Sequence, residues 1–215
     1  MIERDYIMRM ISQLTQFLTR VLLHKSAHEF PLARRELEAA YKSMLGLSPG
    51  FIDEFSDEQL IEMFGRDEDT KVLKCYILGC LFKEEGEMLL LEGDGAGSSL
   101  AFVRSLSLLL TAFTVAGNEA QEGHRTAIEA LLVRLHEVEI PVHIKEKLLT
   151  YEELSGRYDR AEDVLFELTA SDRQWVGSGL VFYERLLKRS DHELAAGGLP
   201  RAEVLEGMEE LRKLM

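Results

Sequence analysis

Residues 78–87 read LGCLFKEEGE. Leu78 and Gly79 stand side by side, Phe82 comes three residues after the glycine, and Gly86 four after that. Within a helix a glycine weakens the backbone unless a neighbour needs the space its missing side chain leaves. Gly79 is therefore expected to let a second helix approach closely, Phe82 to fill the groove beside it, and Gly86 to turn the chain. If this stretch is one arm of a helical hairpin, the rest of the sequence must supply further arms.

It does. The chain of 215 residues has only 4 prolines, Pro31, Pro49, Pro141 and Pro200, so long stretches are free to be helical. Residues 2–25 repeat apolar side chains at three and four, through Ile7, Met10, Ile11, Leu14, Phe17, Leu18, Val21 and Leu22, the period of one long helix. Pro31 opens a second helix, and Ser56 with Gln59 forms a capping box for a short one that Gly65 stops. A helix is expected from about 67 to 91. EGDGAGSS follows as a flexible break, and Ser98 or Ser99 caps a helix over about 99–115. Further helices are expected at about 119–138, 141–154, 159–170, 172–189 and 201–214, with AGN, SGRYD and AAGGLP as turns. No segment alternates as a strand does. The pattern predicts a single all-α domain, 1–215, of stacked antiparallel helical hairpins: a long N-terminal helix and its neighbours in 1–66, then a helical array in 67–215.

Charge narrows the partners. The net charge is −13, and residues 51–100 carry 13 acidic side chains against 4 basic ones. Nucleic-acid binding needs basic groups that displace counterions, so nucleic acid is not an expected partner. The 2 cysteines, Cys75 and Cys80, lie about 140° apart on a helix, so they do not pair with each other, and a reducing cytosol suits them. MIERDYIMRM has charges scattered through it and lacks the apolar core of a signal peptide. No run of about 18 apolar residues occurs, so no membrane span is expected, and SLSLLLTAFTVAG reads as a buried core helix.

Two resemblances emerge. Leu78, Gly79, Phe82 and Gly86 resemble the first half of a tetratricopeptide repeat, and Gly156, Tyr158, Ala161 and Leu165 the second half. The resemblance implies a right-handed superhelix of helix pairs. Leu148–Leu149 stand where the Leu-Gly pair belongs ahead of Gly156, and Glu152 where its aromatic belongs, so no single repeat is complete. DYIMRMISQL and MLGLSPGFIDEFSDEQLIEMF are similar to a family of uncharacterised bacterial proteins of about this length. That resemblance implies a bacterial cytoplasmic protein with tetratricopeptide-like helices, and it implies no activity.

Few residues suggest chemistry. His24 and His28, spaced i,i+4 beside Glu29, could present two imidazoles to one metal. HExxH is absent and the other histidines are scattered, so the pair reads as surface imidazoles at a helix end, where the dipole favours them. No metal or cofactor is expected. GDGAGS lacks the lysine of a phosphate-binding loop and does not complete GxGxxG. Cys75 and Cys80 read as inert core thiols, and Phe82, Tyr158 and Trp175 as core aromatics. The function expected is a non-enzymatic helical-repeat protein that binds a protein or peptide, its N-terminal helix either packing across the array or forming a homodimer seam. The alternative is a small-molecule or metal-binding protein, a cryptic enzyme included, using a pocket in the stack.

Overall fold

The computed structural model describes residues 2–117 and 122–214, with side chains from residue 5. Among the described residues the chain is helical and has no strand. In order the helices are α1 Ile2–Ser26, α2 Phe30–Ala40, α3 Pro49–Ile52, α4 Asp57–Met63, α5 Glu68–Glu92, α6 Gly95–Ala116, α7 Glu122–Arg134, α8 Val142–Leu154, α9 Tyr158–Ser171, α10 Trp175–Leu186, α11 Asp191–Ala196 and α12 Arg201–Arg212. They form two compact units, Met1–Glu139 and Ile140–Met215. The division falls there and not after residue 66, because α1 and α2 lean on α5.

The first unit is built around α5. Residues 77–82 are all buried, as happens when a helix has neighbours on every side. Gly79 meets Leu109 and Gly86 meets Phe102, so seven steps up α5 match seven steps down α6 and the two are antiparallel. A Cβ on Gly79 would lie 2.7 Å from Leu109 Cγ, and one on Gly86 2.7 Å from the Phe102 ring. The buried Ser105 hydroxyl donates to the Gly79 carbonyl at 2.6 Å.

Gly86 therefore makes a close approach and not a turn. The turn comes at Gly93, φ 88°, and Asp94. Asp94, not Ser98 or Ser99, caps α6: its carboxylate accepts the Gly97 N–H at 2.9 Å, and a side chain on Gly97 would collide with it. The expected flexible break thus shrinks to two residues, and α6 begins at Gly95. So extended, α6 is long and apolar enough to cross a membrane by length and composition, yet 61% of its most apolar window is buried within the protein. The turn expected at AGN, and the start of the helix after it, reach into 118–121, outside the described residues.

The remaining helices of this unit clasp the α5–α6 hairpin. Gln13 bonds Ser43 at 2.9 Å and Arg20 bonds Glu36 at 2.7 Å, tying one flank of α1 to the α2 segment. Tyr41 and Phe82 meet edge on, and Tyr41 donates to Glu85 at 2.8 Å. Arg104 of α6 lies over the Phe82 ring, 4.3 Å from its centroid. The same guanidinium donates to Asp57 and to the carbonyls of Ile52 and Phe55, which fixes α3 and α4. The Ser56–Gln59 capping box forms as expected.

In the second unit Gly156, φ 72°, turns α8 into α9. Tyr158, Ala161 and Leu165 follow on the buried face of α9. Gly179 of α10 lets Leu165 and Leu211 close over it. Gly197 lies against Tyr158 and accepts the Asp159 N–H at 3.1 Å, which pins the end of α11 to the start of α9. Helix α11, with its Ser190–Glu193 capping box, lies beyond the helix expected over 172–189 and runs into the break expected at AAGGLP. Trp175 packs against this unit's core.

Two substitutions in the first unit separate close packing from helix propensity. Gly79→Ala should lower unfolding free energy by about 1–3 kcal/mol, because overpacking at Leu109 outweighs the gain in helix propensity. Gly95→Ala, with open space around it, should be neutral or stabilising by up to about 1 kcal/mol. Urea unfolding followed by circular dichroism measures both, and equal effects would refute the packing argument.

Candidate docking trough on the first unit

Two hollows lie along one side of α5. The first, of about 490 Å³, is bounded by Ile7 and Ile11 of α1, Val72 and Tyr76 of α5, Val115 of α6 and His124 of α7, with Glu68 and Asp69 at its end. The second, of about 460 Å³, is bounded by Leu18 of α1, by Cys80, Lys83 and Glu84 of α5, and by Gly123, Thr126, Ala127 and Ala130 of α7. Between the two hollows Tyr76 reaches from α5 toward α7, where a Cβ at Gly123 would be 3.3 Å from the phenol oxygen. Both α1 and α7 advance along α5 in its own direction, and they scarcely meet each other. The result is a trough floored by α5 and walled by α1 and α7. From residue 68 to 84 it runs about 24 Å at 1.5 Å per residue.

Beneath one end lies a buried ionic cluster. Lys25 ends the inward stripe of α1, and its side chain is 5% exposed. Its ammonium bonds Glu84, itself 7% exposed, and Glu87 at 3.0 Å. Lys83 closes the cluster with bonds of 3.3 Å to Glu84 and 2.9 Å to Glu87. Burial alone would raise the Glu87 pKa, but the bonds from Lys83 and Lys25 outweigh it and hold the carboxyl below its ordinary value. Sequence reading missed this cluster. The available signal was a lysine seven residues after Leu18 and four after Val21, continuing an apolar stripe.

Three titratable groups facing the trough, Cys80, Tyr76 and His124, are held in their neutral forms. Burial pushes the Cys80 thiol up to about 12. Burial raises the Tyr76 phenol as well, and the neighbouring Cys80 thiol adds to the rise. His124 packs edge on against Tyr76 with ring centroids 4.4 Å apart, and burial lowers its pKa. A thiol and a phenol raised in this way are poor nucleophiles and poor proton carriers near neutrality.

The residues singled out from the sequence fall elsewhere. Leu78, Gly79, Phe82 and Gly86 are buried in α5, and Gly156, Tyr158, Ala161 and Leu165 belong to the second unit. His24 and His28 do not share a helix face. The helix ends at Ser26, and His28 takes a left-handed conformation, φ 59°, with the Glu29 N–H donating to the His24 carbonyl at 2.9 Å. This closes the helix as a Schellman turn. His24 bonds Glu29 at 2.8 Å, while His28 packs near Phe30. Among the described residues no three or more His, Cys, Asp or Glu side chains converge to hold a metal.

The model of a family of unknown function, DUF6483, matches residues 1–215. The chain belongs to that family. The resemblance read at DYIMRMISQL thus extends over the whole DUF6483 chain. No curated protein and no solved structure matches it.

The cluster and the thiols yield two tests. Lys25→Met should destabilise the chain by about 3–5 kcal/mol, since it strands the Glu84 charge, and Lys25→Met/Glu84→Met should recover most of that loss. The depressed Glu87 pKa gives stability that is complete above its ordinary value of 4.5 and is lost as pH falls through the lower folded value. Wild type should therefore lose more stability than Lys25→Met on acidification from about pH 5 to 3. Denaturant midpoints across that range decide it. Separately, Cys75 and Cys80 should resist iodoacetamide in the native protein and react fully in denaturant, as mass spectrometry would record.

Proposed function

We propose that this protein is a non-enzymatic helical interaction protein that docks a helical segment of another polypeptide in the trough between α1 and α7. The observation that carries the reading is the pair of hollows in line along α5, between two walls that scarcely meet. Helix-in-groove recognition uses such a shape: a channel a few turns long, with apolar side chains such as Ile7, Ile11, Val72 and Leu18 along it, that accepts side chains at i, i+4 and i+7. The small residues Gly123, Ala127 and Ala130 let a backbone come close. The neutral state of Cys80, Tyr76 and His124 supports binding over catalysis.

The hairpins of the second unit fit the tetratricopeptide-like reading, with Gly156 at the turn and Tyr158, Ala161 and Leu165 on the inner face. Stacked pairs of this kind serve as binding scaffolds. The net charge of −13 argues against nucleic acid as the partner, and two buried free thiols suit a reducing cytoplasm. One observation favours a second reading. The hollow beside Tyr76 and His124 is within the volume range of small-molecule sites, so a metabolite is the rival occupant.

Ala130 is exposed on α7 and can be changed without disturbing the core. A partner retained from lysate by the wild-type chain should be lost on Ala130→Glu, with the melting temperature changed by less than about 2 °C. Retention of the same partner by both proteins would rule out the trough, and a small molecule co-eluting in native mass spectra would favour the rival.

A further inference from the structure

Resting on the reading of the trough as a docking site, we infer that its occupant is α1 of a second copy of this chain. The trough and the surface that would fill it lie on one face. At 100° per residue Met8, Ile11, Leu18 and Leu22 share about 80° of the circumference of α1. That flank is the one turned toward α7, because Ile11 and Leu18 bound the two hollows. The opposite flank is taken by the α2 segment through Gln13 and Arg20. Leu22 is 50% exposed and Met8 58% exposed, so this flank carries large apolar side chains with nothing over them. Across the second hollow, α7 offers Gly123, Thr126, Ala127 and Ala130.

Bulky side chains on one wall and small ones on the other make the face complementary to itself. A twofold axis can seat the Leu18–Leu22 flank of each copy against the small wall of its partner, since an isologous contact uses the same patch twice. Charge selects the same face. Two copies of a chain at −13 repel wherever acid would face acid. On α1 the charged residues Asp5, Arg9 and Arg20 lie off this flank at 100° per residue and Lys25 is buried in its ion pairs, while α7 balances Glu122 and Glu129 with Arg125 and Arg134. In the floor, Lys83 and Glu84 are already paired. The second hollow is thus a place where a second copy meets little acidic repulsion, whereas the acidic surface over residues 51–69, which reaches the first hollow at Glu68 and Asp69, is not.

The test is the mass in solution of the full chain by size exclusion with light scattering at about 5 to 50 μM. A species of twice the 24.5 kDa chain mass is expected for wild type. Leu22→Glu and Ala130→Glu change exposed positions, so both should fold with unaltered circular dichroism and both should weaken the dimer at least about tenfold. Leu205→Glu, at an exposed position of the second unit, should leave it intact. A monomeric wild type overturns the second copy as occupant; it leaves the docking reading standing only if Ala130→Glu still abolishes capture of a different protein. A dimer that survives both Leu22→Glu and Ala130→Glu overturns the trough as its seat.

Discussion

Everything in the first unit depends on how closely α5 and α6 approach. Two glycines, seven residues apart on one helix, face Leu109 and Phe102 on the other, and the Ser105 hydroxyl reaches the opposing backbone. Close approach makes α5 a buried rod rather than a half-exposed helix. It also leaves α5 with enough perimeter to receive α1 and α2 on one side and α7 on another. The trough is what remains of that perimeter, so its existence and its direction are set by the packing of α5.

Polar groups then fix the helices that packing only brings together. Arg104 reaches two carbonyls at the end of α3 and just beyond it, the Asp57 carboxylate and the Phe82 face at once. One guanidinium thereby orients a short irregular segment that has little apolar surface of its own. Lys25 does the same for the end of α1. A buried ion pair adds little net stability over an apolar pair, but it penalises every register that would strand one charge. In α1, whose stripe is apolar for most of its length, such a penalty selects one register against α5.

How far this was legible in the sequence follows from the range of the forces involved. Helix periods, the Ser56 capping box and the Gly156 turn are local, and residues within a few positions of each other revealed them. Gly86 was misjudged as a turn because a glycine in a helix and a glycine at a turn look alike until the opposing Phe102 is known. Asp94 was passed over as a cap because the glycine cluster around it suggested looseness, whereas those glycines make room for the carboxylate. Lys25 with Glu84, and Arg104 with Asp57 and the carbonyls of Ile52 and Phe55, join residues 47 to 59 positions apart, and no local pattern encodes them. The trough was invisible for the same reason: it is a gap between three helices. Its small wall, Gly123, Ala127 and Ala130, was present in the sequence at helical spacing.

The order of α5 and α6 along the chain has a consequence during synthesis. Helix α6 is the most apolar segment of the protein and, by length and composition, could enter a bilayer. Its glycine-bearing partner α5 is made first, and only Gly93 and Asp94 separate them. As α6 leaves the ribosome, the surface that will cover it is already outside and two residues away. Closing so short a hairpin needs no distant contact and is fast on the scale of translation. The segment with most to gain from a membrane or from another unfolded chain is thereby exposed to either for the shortest time.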